Sequence, residues 1–365
     1  MEITIDQAID VGYATLWRIK KDALAMTFGT GHYELFNMWF GDKAERNSGD
    51  MIKDYITLKD TGNGKHISLW EEDTHNTVNT DKEIRVDWSH YTTNLSYNRV
   101  ELGMNMSDEV RVYNYLKGKM DNMYRELAED IQSSLVLSPT SASDKKNPHG
   151  LASWLSLGTD GSAGAWNAYS GIYNDGSATT YSVGGIASTS ASLARWASYY
   201  ADHEGSLGDA LLTKLFRATT QTKFIVPIVP KAGKIDESTG FGNFRYYTNL
   251  NVVANLETLL RKSDDQIGSD LGKYAGVIVY KGIPMMYLEE LDAAASADTA
   301  LRGTDPIYGV NHDWFKLTVL KDNDFVIGKP TPRDNQHNVL KVHCDVSYAV
   351  HCTNRQRAGF LISQQ

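Results

Sequence analysis

A regular alternation near the C-terminus constrains the fold more than any other feature of this sequence. From Leu340 to Cys352, apolar residues alternate with polar or small ones almost without interruption. Because successive side chains of a β-strand point to opposite faces, this pattern predicts one long strand with a buried and a solvent-facing side. The predicted buried residues are Leu340, Val342, Cys344, Val346, Tyr348, Val350 and Cys352, and the predicted solvent-facing ones are Lys341, His343, Asp345, Ser347, Ala349 and His351.

Two His-Cys pairs in this segment, at 343–344 and 351–352, have the residue types of a zinc site. The alternation sends the cysteines to one face and the histidines to the other, and like residues lie about 26 Å apart at ~3.3 Å per residue. No tetrahedral site can therefore form within the strand. We interpret Cys344 and Cys352, the only cysteines, as buried apolar residues of a protein that matures in a reducing cytoplasm.

A long amphipathic helix is predicted upstream of this strand. Ser107 is a favourable N-cap, and apolar residues recur every three or four positions until Pro139. The pattern predicts a helix over 107–137, about 31 residues and ~46 Å long, with Gly118 as its one weak point. Four of its residues are expected to pack against the strands that include 340–352, namely Leu116, Met120, Leu127 and Ile131.

The segments before the helix have little apparent core of their own. The first ~45 residues are interpreted as an arm with short helical pieces, and residues 55–101 as an extended hairpin-like excursion. Its expected strands are Tyr55–Lys59, Lys65–Trp70, Glu83–Trp88 and Leu95–Glu101. An isolated ribbon is marginal in water, so Trp39, Phe40, Trp70 and Trp88 are expected to need a neighbouring surface. We also expect that deleting 60–90 would leave the helix at 107–137 and the C-terminal strand folded, because the other cores do not run through this excursion.

Strands alternate with helices in the second half of the chain. Residues 138–190 are rich in Ser, Gly, Asn and Thr, which indicates loops with short extended pieces. The predicted elements after them are a helix at 206–219, a buried strand Lys223–Val229, a helix at 249–262 and a hairpin Gly276–Leu288 that turns at Lys281-Gly282. The apolar face of the first of these helices is expected to contain Leu207, Leu211, Leu212, Leu215 and Phe216.

Composition excludes several classes of protein. The 365 residues are enough for two or three compact units, and a net charge of −9 is unsuited to sequence-specific DNA binding. No apolar stretch approaches the ~18 residues that span a bilayer, and the N-terminus has acidic residues where a signal peptide needs basic ones. We therefore expect neither a membrane partner nor secretion by that route.

Enzyme motifs are weak throughout. Asp60–Glu71 has the end residues of a calcium loop but lacks its inner ligands, and His203-Glu204 has no second histidine four positions after the first. A P-loop, a GxSxG elbow and a GxGxxG turn after a strand are not found. The acid pairs Glu71-Glu72 and Glu289-Glu290 are interpreted as solvated surface. No catalytic, cofactor-binding or metal-ligating residue is predicted, and no cofactor.

The succession of elements resembles the major capsid proteins of tailed double-stranded-DNA bacteriophages over nearly the whole chain. Local features that are similar to this family are Gly150-Leu151, Gly184-Gly185-Ile186 and the stretch from Asn354 to Gly359. The resemblance implies an α+β fold with an N-terminal arm, an extended β-hairpin loop, a long spine helix, a peripheral domain and an axial domain. The implied boundaries are 1–45 for the arm, 46–105 for the loop, 106–221 for the spine helix and peripheral domain, 222–312 for the axial domain and 313–365 for C-terminal strands that return to the peripheral domain.

The resemblance also implies a function without catalysis. A protein of this family self-assembles into hexamers and pentamers of an icosahedral virion shell, built in the host cytoplasm around double-stranded DNA that it contacts non-specifically. The loop would lie over a neighbouring subunit, and the arm would tie capsomers together. The residues before 107 are accounted for by arm and loop, so a scaffolding protein is expected to be separate, as is a portal. No intersubunit cross-link position is assigned.

Two alternatives stay open at this point. A shell protein of a cellular nanocompartment would have the same fold and would enclose enzymes instead of a genome. A cytoplasmic carbohydrate-active enzyme would explain the Trp and Tyr content by sugar stacking, and it would need a pair of acids that converge in a cleft.

Overall fold

The structure, a computed structural model, describes most of the chain from residue 33 onward. The described residues are 33–59, 62–70, 72, 77, 79–100, 109–139, 144, 146–157, 165–168, 182–187, 195–205, 207–224, 230–231, 234–235, 243–263, 278–292, 302–333 and 336–364. They form two compact units, the first from residues within 1–50, 88–135 and 317–349, and the second from residues within 51–87, 136–316 and 350–365.

The described α-helices confirm the helices predicted at 107–137, 206–219 and 249–262. They are α1 (Glu34–Gly41), α2 (Glu109–Val136), α3 (Leu151–Trp154), α4 (Asp209–Gln221), α5 (Leu250–Ser263) and α6 (Arg355–Ala358). The predicted helix 107–137 corresponds to α2, whose proposed N-cap Ser107 lies outside the described residues. None of the described helices is long and apolar enough to cross a membrane.

The described strands are short except for one near the C-terminus. They are β1 (Ala44–Arg46), β2 (Met51–Thr57), β3 (Asp81–Asp87), β4 (Ser89–Asn98), β5 (Ala165–Ala168), β6 (Ser182–Val183), β7 (Ile186–Ala187), β8 (Ser198–Asp202), β9 (Pro230–Lys231), β10 (Lys234–Ile235), β11 (Phe244–Thr248), β12 (Ile278–Tyr280), β13 (Ile283–Tyr287), β14 (Thr304–Asn311), β15 (Phe315–Leu320), β16 (Val326–Ile327), β17 (Thr331–Arg333), β18 (Gln336–Cys352) and β19 (Gly359–Gln364). Of the predicted strand Lys223–Val229, residues 225–229 lie outside the described residues.

The predicted long strand is β18, the central strand of a six-stranded sheet. β4, β16 and β17 all pair with it in the antiparallel direction, and β1 pairs with β15 in the parallel direction. The register with β4 runs from Val339 opposite Asn98 to Tyr348 opposite Ser89. The first part of the strand expected at Leu95–Glu101, up to Asn98, therefore belongs to this sheet. Arg99 and Val100 are helical, so the prediction is wrong there, and Glu101 lies outside the described residues.

The alternation of burial along β18 is confirmed only for its first part. Residues at even positions from Leu340 to Val346 are buried, and the odd positions between them are half-buried. For Ser347, Ala349 and His351 the predicted solvent exposure is wrong, because all three are buried. At Ser347 the reason is visible, since Nδ1 of His90 lies 2.6 Å from its hydroxyl oxygen and the Asn323 amide also donates to it.

The long helix α2 packs on this sheet, as predicted. Leu116, Met120, Leu127 and Ile131 are fully buried. The hydroxyl of Tyr91 on β4 donates to the Asp130 carboxylate of α2 at 2.6 Å. Burial raises the pKa of Tyr124, which lies beside Cys344 of β18.

The short helix α1 corrects one expectation about the arm. Its side chains Trp39 and Phe40 were expected to need a neighbouring surface, but both are buried within this chain. Phe40 stacks on Phe36 at 4.5 Å between ring centroids and lies 5.7 Å from the ring of Tyr348. The backbone amide of Phe36 donates to the side chain of Gln132 on α2 at 3.0 Å. The described part of the arm is thus integral to the first unit.

A seven-stranded mixed sheet forms the main core of the second unit, in the order β12-β13-β11-β14-β19-β8-β5. Side chains of α4 and α5 join its apolar core, which includes Leu211, Leu215, Phe224, Tyr246, Val252, Leu256 and Phe360. The predicted hairpin is confirmed as β12 and β13, because Lys281 and Gly282 both have positive φ, as a two-residue hairpin turn requires. Phe216 is wrongly assigned to the buried face of α4. It is 55% exposed, and the Lys281 ammonium lies 4.3 Å from its ring centroid.

A separate two-stranded ribbon, β2 with β3, also belongs to the second unit. The strands are antiparallel, with Met51 opposite Asp87 and Thr57 opposite Asp81. The predicted strand Lys65–Trp70 is wrong, because the described residues 62–70 form no strand. That run has the right composition for a strand, but no strand among the described residues pairs with it.

Candidate assembly surface

The ribbon has one buried and one exposed face. Ile52, Ile84 and Val86 share the first face and are at most 2% exposed. This corrects the expectation that the excursion has little core of its own and that a deletion of 60–90 would spare the other cores. Such a deletion would remove buried side chains of the second unit and the first residues of β4.

The opposite face of the ribbon is polar and solvated. Glu83 lies 3.2 Å from Arg85 and 3.9 Å from Lys53, and Tyr55 is 76% exposed. Exposed ion pairs of this kind contribute little to stability, typically less than about 1 kcal/mol. This face is therefore available for contacts beyond the chain.

The described residues beyond the ends of β2 and β3 expose large apolar side chains. We call residues 62–70 the ribbon tip. In it, Leu69 is 91%, Trp70 92% and Ile67 56% exposed. Large apolar groups exposed this fully and this close together in sequence are typical of surfaces that bind another protein. Of the four aromatic residues expected to need a neighbouring surface, Trp70 is left exposed by its own chain, whereas Trp88 is half-buried and donates its indole N–H to the Gly49 carbonyl at 2.9 Å.

Three weak family-like features of the sequence meet in one part of the second unit. The Gly150-Leu151 step begins α3, Gly184-Gly185 forms the turn between β6 and β7, and the Asn354 side chain accepts from the Arg357 amide at 3.2 Å to cap α6. Trp154 of α3 and Trp196 pack edge to face with ring centroids 6.5 Å apart. These features therefore specify a local core.

Arg355 is the buried cation at the centre of this core. Its side chain donates to the carbonyl oxygens of Trp154 at 2.8 Å and Trp196 at 3.0 Å, and to the Ser198 hydroxyl at 3.2 Å. Burial lowers its pKa to about 10. A buried guanidinium needs such acceptors to offset its lost hydration. The stretch Asn354–Gly359 stood out in the sequence, but its pattern did not predict that Arg355 would be buried and bound to main-chain carbonyls.

The described side chains that were considered for catalysis or metal binding lie in different surroundings. Glu289 is exposed beside Glu290, whose pKa burial raises, and His203 is buried with Nε2 3.2 Å from the Asp305 carbonyl oxygen. Both ends of the calcium-like loop lie outside the described residues. Within the described part of the chain, no group of three or more His, Cys, Asp or Glu side chains is placed to hold a metal ion.

Both cysteines are buried free thiols, as predicted. Burial raises the pKa of Cys352 to about 12, which keeps its thiol protonated at neutral pH. Cys344 is buried while His343 beside it is half-buried, in agreement with the predicted opposite faces.

Comparison with known proteins identifies the fold. No protein-family model and no curated protein matches this sequence. The capsid asymmetric unit of Cyanophage A-1(L) matches with a TM-score of 0.61 and 13% identity, over 91% of this chain and 93% of that chain. The capsid of the native GTA particle matches with a TM-score of 0.51 and 10% identity, over 90% of this chain and 89% of that one.

This chain has the tailed-phage major capsid fold. The fold class predicted from the order of elements, α+β with the arrangement of these capsid proteins, is thereby confirmed. The matched share of the chain is large enough to include parts of both compact units, so the likeness is not confined to one sheet. At these identities the match concerns the capsid fold, and function has to be argued from this chain's own surface.

Proposed function

We propose that this chain is the major shell subunit of a tailed-phage virion. In this proposal it has no enzymatic role and self-assembles into hexamers and pentamers of an icosahedral shell that encloses double-stranded DNA. A separate scaffolding protein and a portal take part in assembly, which occurs in the host cytoplasm. The DNA is contacted without base reading, consistent with the net charge of −9.

One observation carries the proposal beyond the fold: the exposed apolar ribbon tip. Leu69 and Trp70 are more than nine-tenths exposed, whereas the apolar residues on the buried face of the ribbon, Ile52, Ile84 and Val86, are packed within this chain. In the proposed shell the tip is covered by a neighbouring subunit. Many copies of one modest contact, related by symmetry, give a closed shell high avidity.

The test is a double substitution at the tip, Leu69→Ser with Trp70→Ser, in the full-length chain. Both side chains are solvated in the single chain, so the variant should keep the wild-type circular dichroism spectrum and melting temperature. Sedimentation velocity and negative-stain electron microscopy should then show closed shells for the wild type and free subunits or capsomers for the variant.

A matched control is Val326→Ser, which removes an apolar side chain that is 42% exposed on β16 in the six-stranded sheet. This variant should still form shells. Assembly of the double variant at wild-type yield would contradict the role of the tip, and a wild-type chain that stays monomeric in all assembly conditions would contradict the shell proposal itself.

The nanocompartment alternative predicts the same shells with different contents. Shells purified from cells that also carry the phage genome should contain nuclease-protected double-stranded DNA. Shells that instead hold a fixed set of host enzymes and no nucleic acid would favour the nanocompartment.

A further inference from the structure

The ribbon is attached near the middle of β3 by a glycine turn. Gly184 and Gly185 have φ of +61° and +78°, a conformation that other residues adopt only with strain. The Gly184 carbonyl accepts a hydrogen bond from the Arg85 amide at 2.9 Å. A Cβ atom at Gly184 would lie 3.0 Å from Cγ2 of Ile84 and 3.3 Å from the Trp154 ring. Position 184 therefore needs glycine for close approach as well as for backbone conformation.

The core around Trp154, Trp196 and Arg355 packs against this turn and fixes its position. The Trp196 indole N–H donates to the Val183 carbonyl, the residue before the turn, at 2.8 Å. The Trp154 ring occupies the space beside Gly184, and Arg355 binds the main-chain carbonyls of both tryptophans. Because these side chains are fully buried, the turn is a rigid support for β3.

The second attachment is on β2, at the same level of the ribbon. Asp54 lies directly opposite Ile84 in the register, so it shares the buried face. One of its carboxylate oxygens lies 2.7 Å from Nε2 of His351, which is buried at the end of β18. Among the described residues of β2 and β3, Asp54 is the only carboxylate on this face, because Asp81, Glu83 and Asp87 fall at the alternate positions.

We propose that these two attachments form a clamp that sets the direction in which the ribbon leaves the second unit. The clamp consists of the Gly184-Gly185 turn against β3 and His351 against Asp54 on β2. A ribbon held on one strand could pivot, whereas attachments on two paired strands about 5 Å apart fix both its direction and its twist. Gly184, Asp54 and His351 are thus positioning residues for the tip, and this step rests on the proposed shell function.

The first test compares alanine at the two glycines of the turn. Gly185→Ala has the same unfavourable φ as Gly184→Ala, but its Cβ would meet Arg85 only at 3.8 Å, an ordinary contact. Hydrogen exchange is measured on the unassembled full-length chain by mass spectrometry. We expect Gly184→Ala to speed exchange in 51–57 and 81–87 by about tenfold or more and Gly185→Ala to change it much less, with β14 and β19 unchanged in both.

A second pair of variants covers the case in which Gly184→Ala fails to fold. Asp54→Asn keeps the shape of the side chain and removes its charge, and Asp87→Asn makes the same change on the exposed face of the same ribbon. Exchange in the ribbon strands should rise for Asp54→Asn alone. Equal exchange for Asp54→Asn and Asp87→Asn, or equal exchange for the two alanine variants, would overturn the clamp.

Electron microscopy of the same variants separates failure of the clamp from failure of the shell function. With an intact tip but a loosened attachment, Asp54→Asn should give shells of several diameters or open sheets, and Asp87→Asn should give uniform shells. If the wild type forms no shells, the shell function fails, while the exchange comparison still decides the clamp. If Asp54→Asn formed uniform shells of the same size as the wild type, the attachment would not position the tip and the inference would fail.

Discussion

The central strands of the two sheets, β18 and β19, follow each other in the chain and are buried in different ways. Most of β18 is covered on one face by α2 and partly solvated on the other, so its residues alternate in burial up to Val346. In β19 all residues from Gly359 to Ser363 are buried. A sheet with one solvated face has a visible sequence period, and a sheet covered on both faces has none.

The largest expected effect tests whether the six-stranded sheet depends on its helical cover. Leu127 of α2 is fully buried, so Leu127→Asp would bury a carboxylate at a cost of several kcal/mol, comparable with the stability of a whole domain. We expect no soluble folded protein. Asn122→Asp places the same group on the exposed side of the helix and should leave yield and melting temperature near wild type, so a folded Leu127→Asp variant would contradict the packing described.

An intermediate effect is expected from His312, which follows β14 in the doubly covered sheet. Burial, with the Arg245 charge, lowers the pKa of His312 to about 3, and the Tyr247 hydroxyl lies 2.9 Å from its Nε2. In the unfolded chain, His312 takes up a proton as pH falls through about 6.5, whereas in the folded chain it stays neutral until about pH 3. The folded state is therefore most stable, relative to the unfolded state, above about pH 6.5, and it loses this stability as pH falls toward 3. This residue should contribute about 2 kcal/mol of lost stability between pH 7 and pH 5.

Chemical denaturation at the two pH values measures this contribution. His312→Gln should reduce the difference in unfolding free energy between pH 7 and pH 5 by about 2 kcal/mol. Tyr247→Phe leaves the imidazole buried and should keep the wild-type difference. An unchanged pH dependence in His312→Gln would mean that this imidazole is not held neutral in the folded protein.

The smallest effect concerns two glycines in open surroundings. A Cβ atom at Gly118 in α2 would meet nothing within 4 Å outside its own helix backbone, and φ there is not positive, so Gly118→Ala should raise stability by about 0.5–1 kcal/mol. Gly282, in the hairpin beside the seven-stranded sheet, is equally open but has φ of +78°, so Gly282→Ala should lower stability by about 1 kcal/mol. Thermal melts of the two variants should shift in opposite directions, and a shift in the same direction would contradict this account.

The sequence predicted those elements whose pattern is local. The long helix, the alternation from Leu340 to Val346 and the Lys281-Gly282 turn follow from a period or from turn chemistry. The positions of strands β8, β14 and β19 were not predicted, because continuous burial has no period. The capsid fold was predicted from the order of elements, in which no single motif is decisive.

Pairing and surroundings could not be predicted from the same patterns. β3 and β4 are separated only by Trp88 and both alternate, yet one pairs within the ribbon and the other joins β18. No local sequence pattern predicts which of the two strands pairs with β2 and which with β18. Likewise, the burial of Trp39 and the exposure of Trp70 depend on which distant residues approach each one, and the composition of the two segments is similar. The clamp residue Asp54 appeared in the sequence as one acid among several, since its partner is nearly three hundred residues away.

The place of β19 in its sheet has a consequence for biosynthesis. Among the described strands, β8 and β5 are connected to the rest of the sheet only through β19, which pairs with β8 on one side and β14 on the other. Ribosomes make the chain from the N-terminus, so the sheet stays in two parts until the residues after 358 have been synthesised. Completion of this sheet therefore waits for the translation of residues 359–364, and nascent or truncated chains that lack β19 cannot offer the finished second unit to one another.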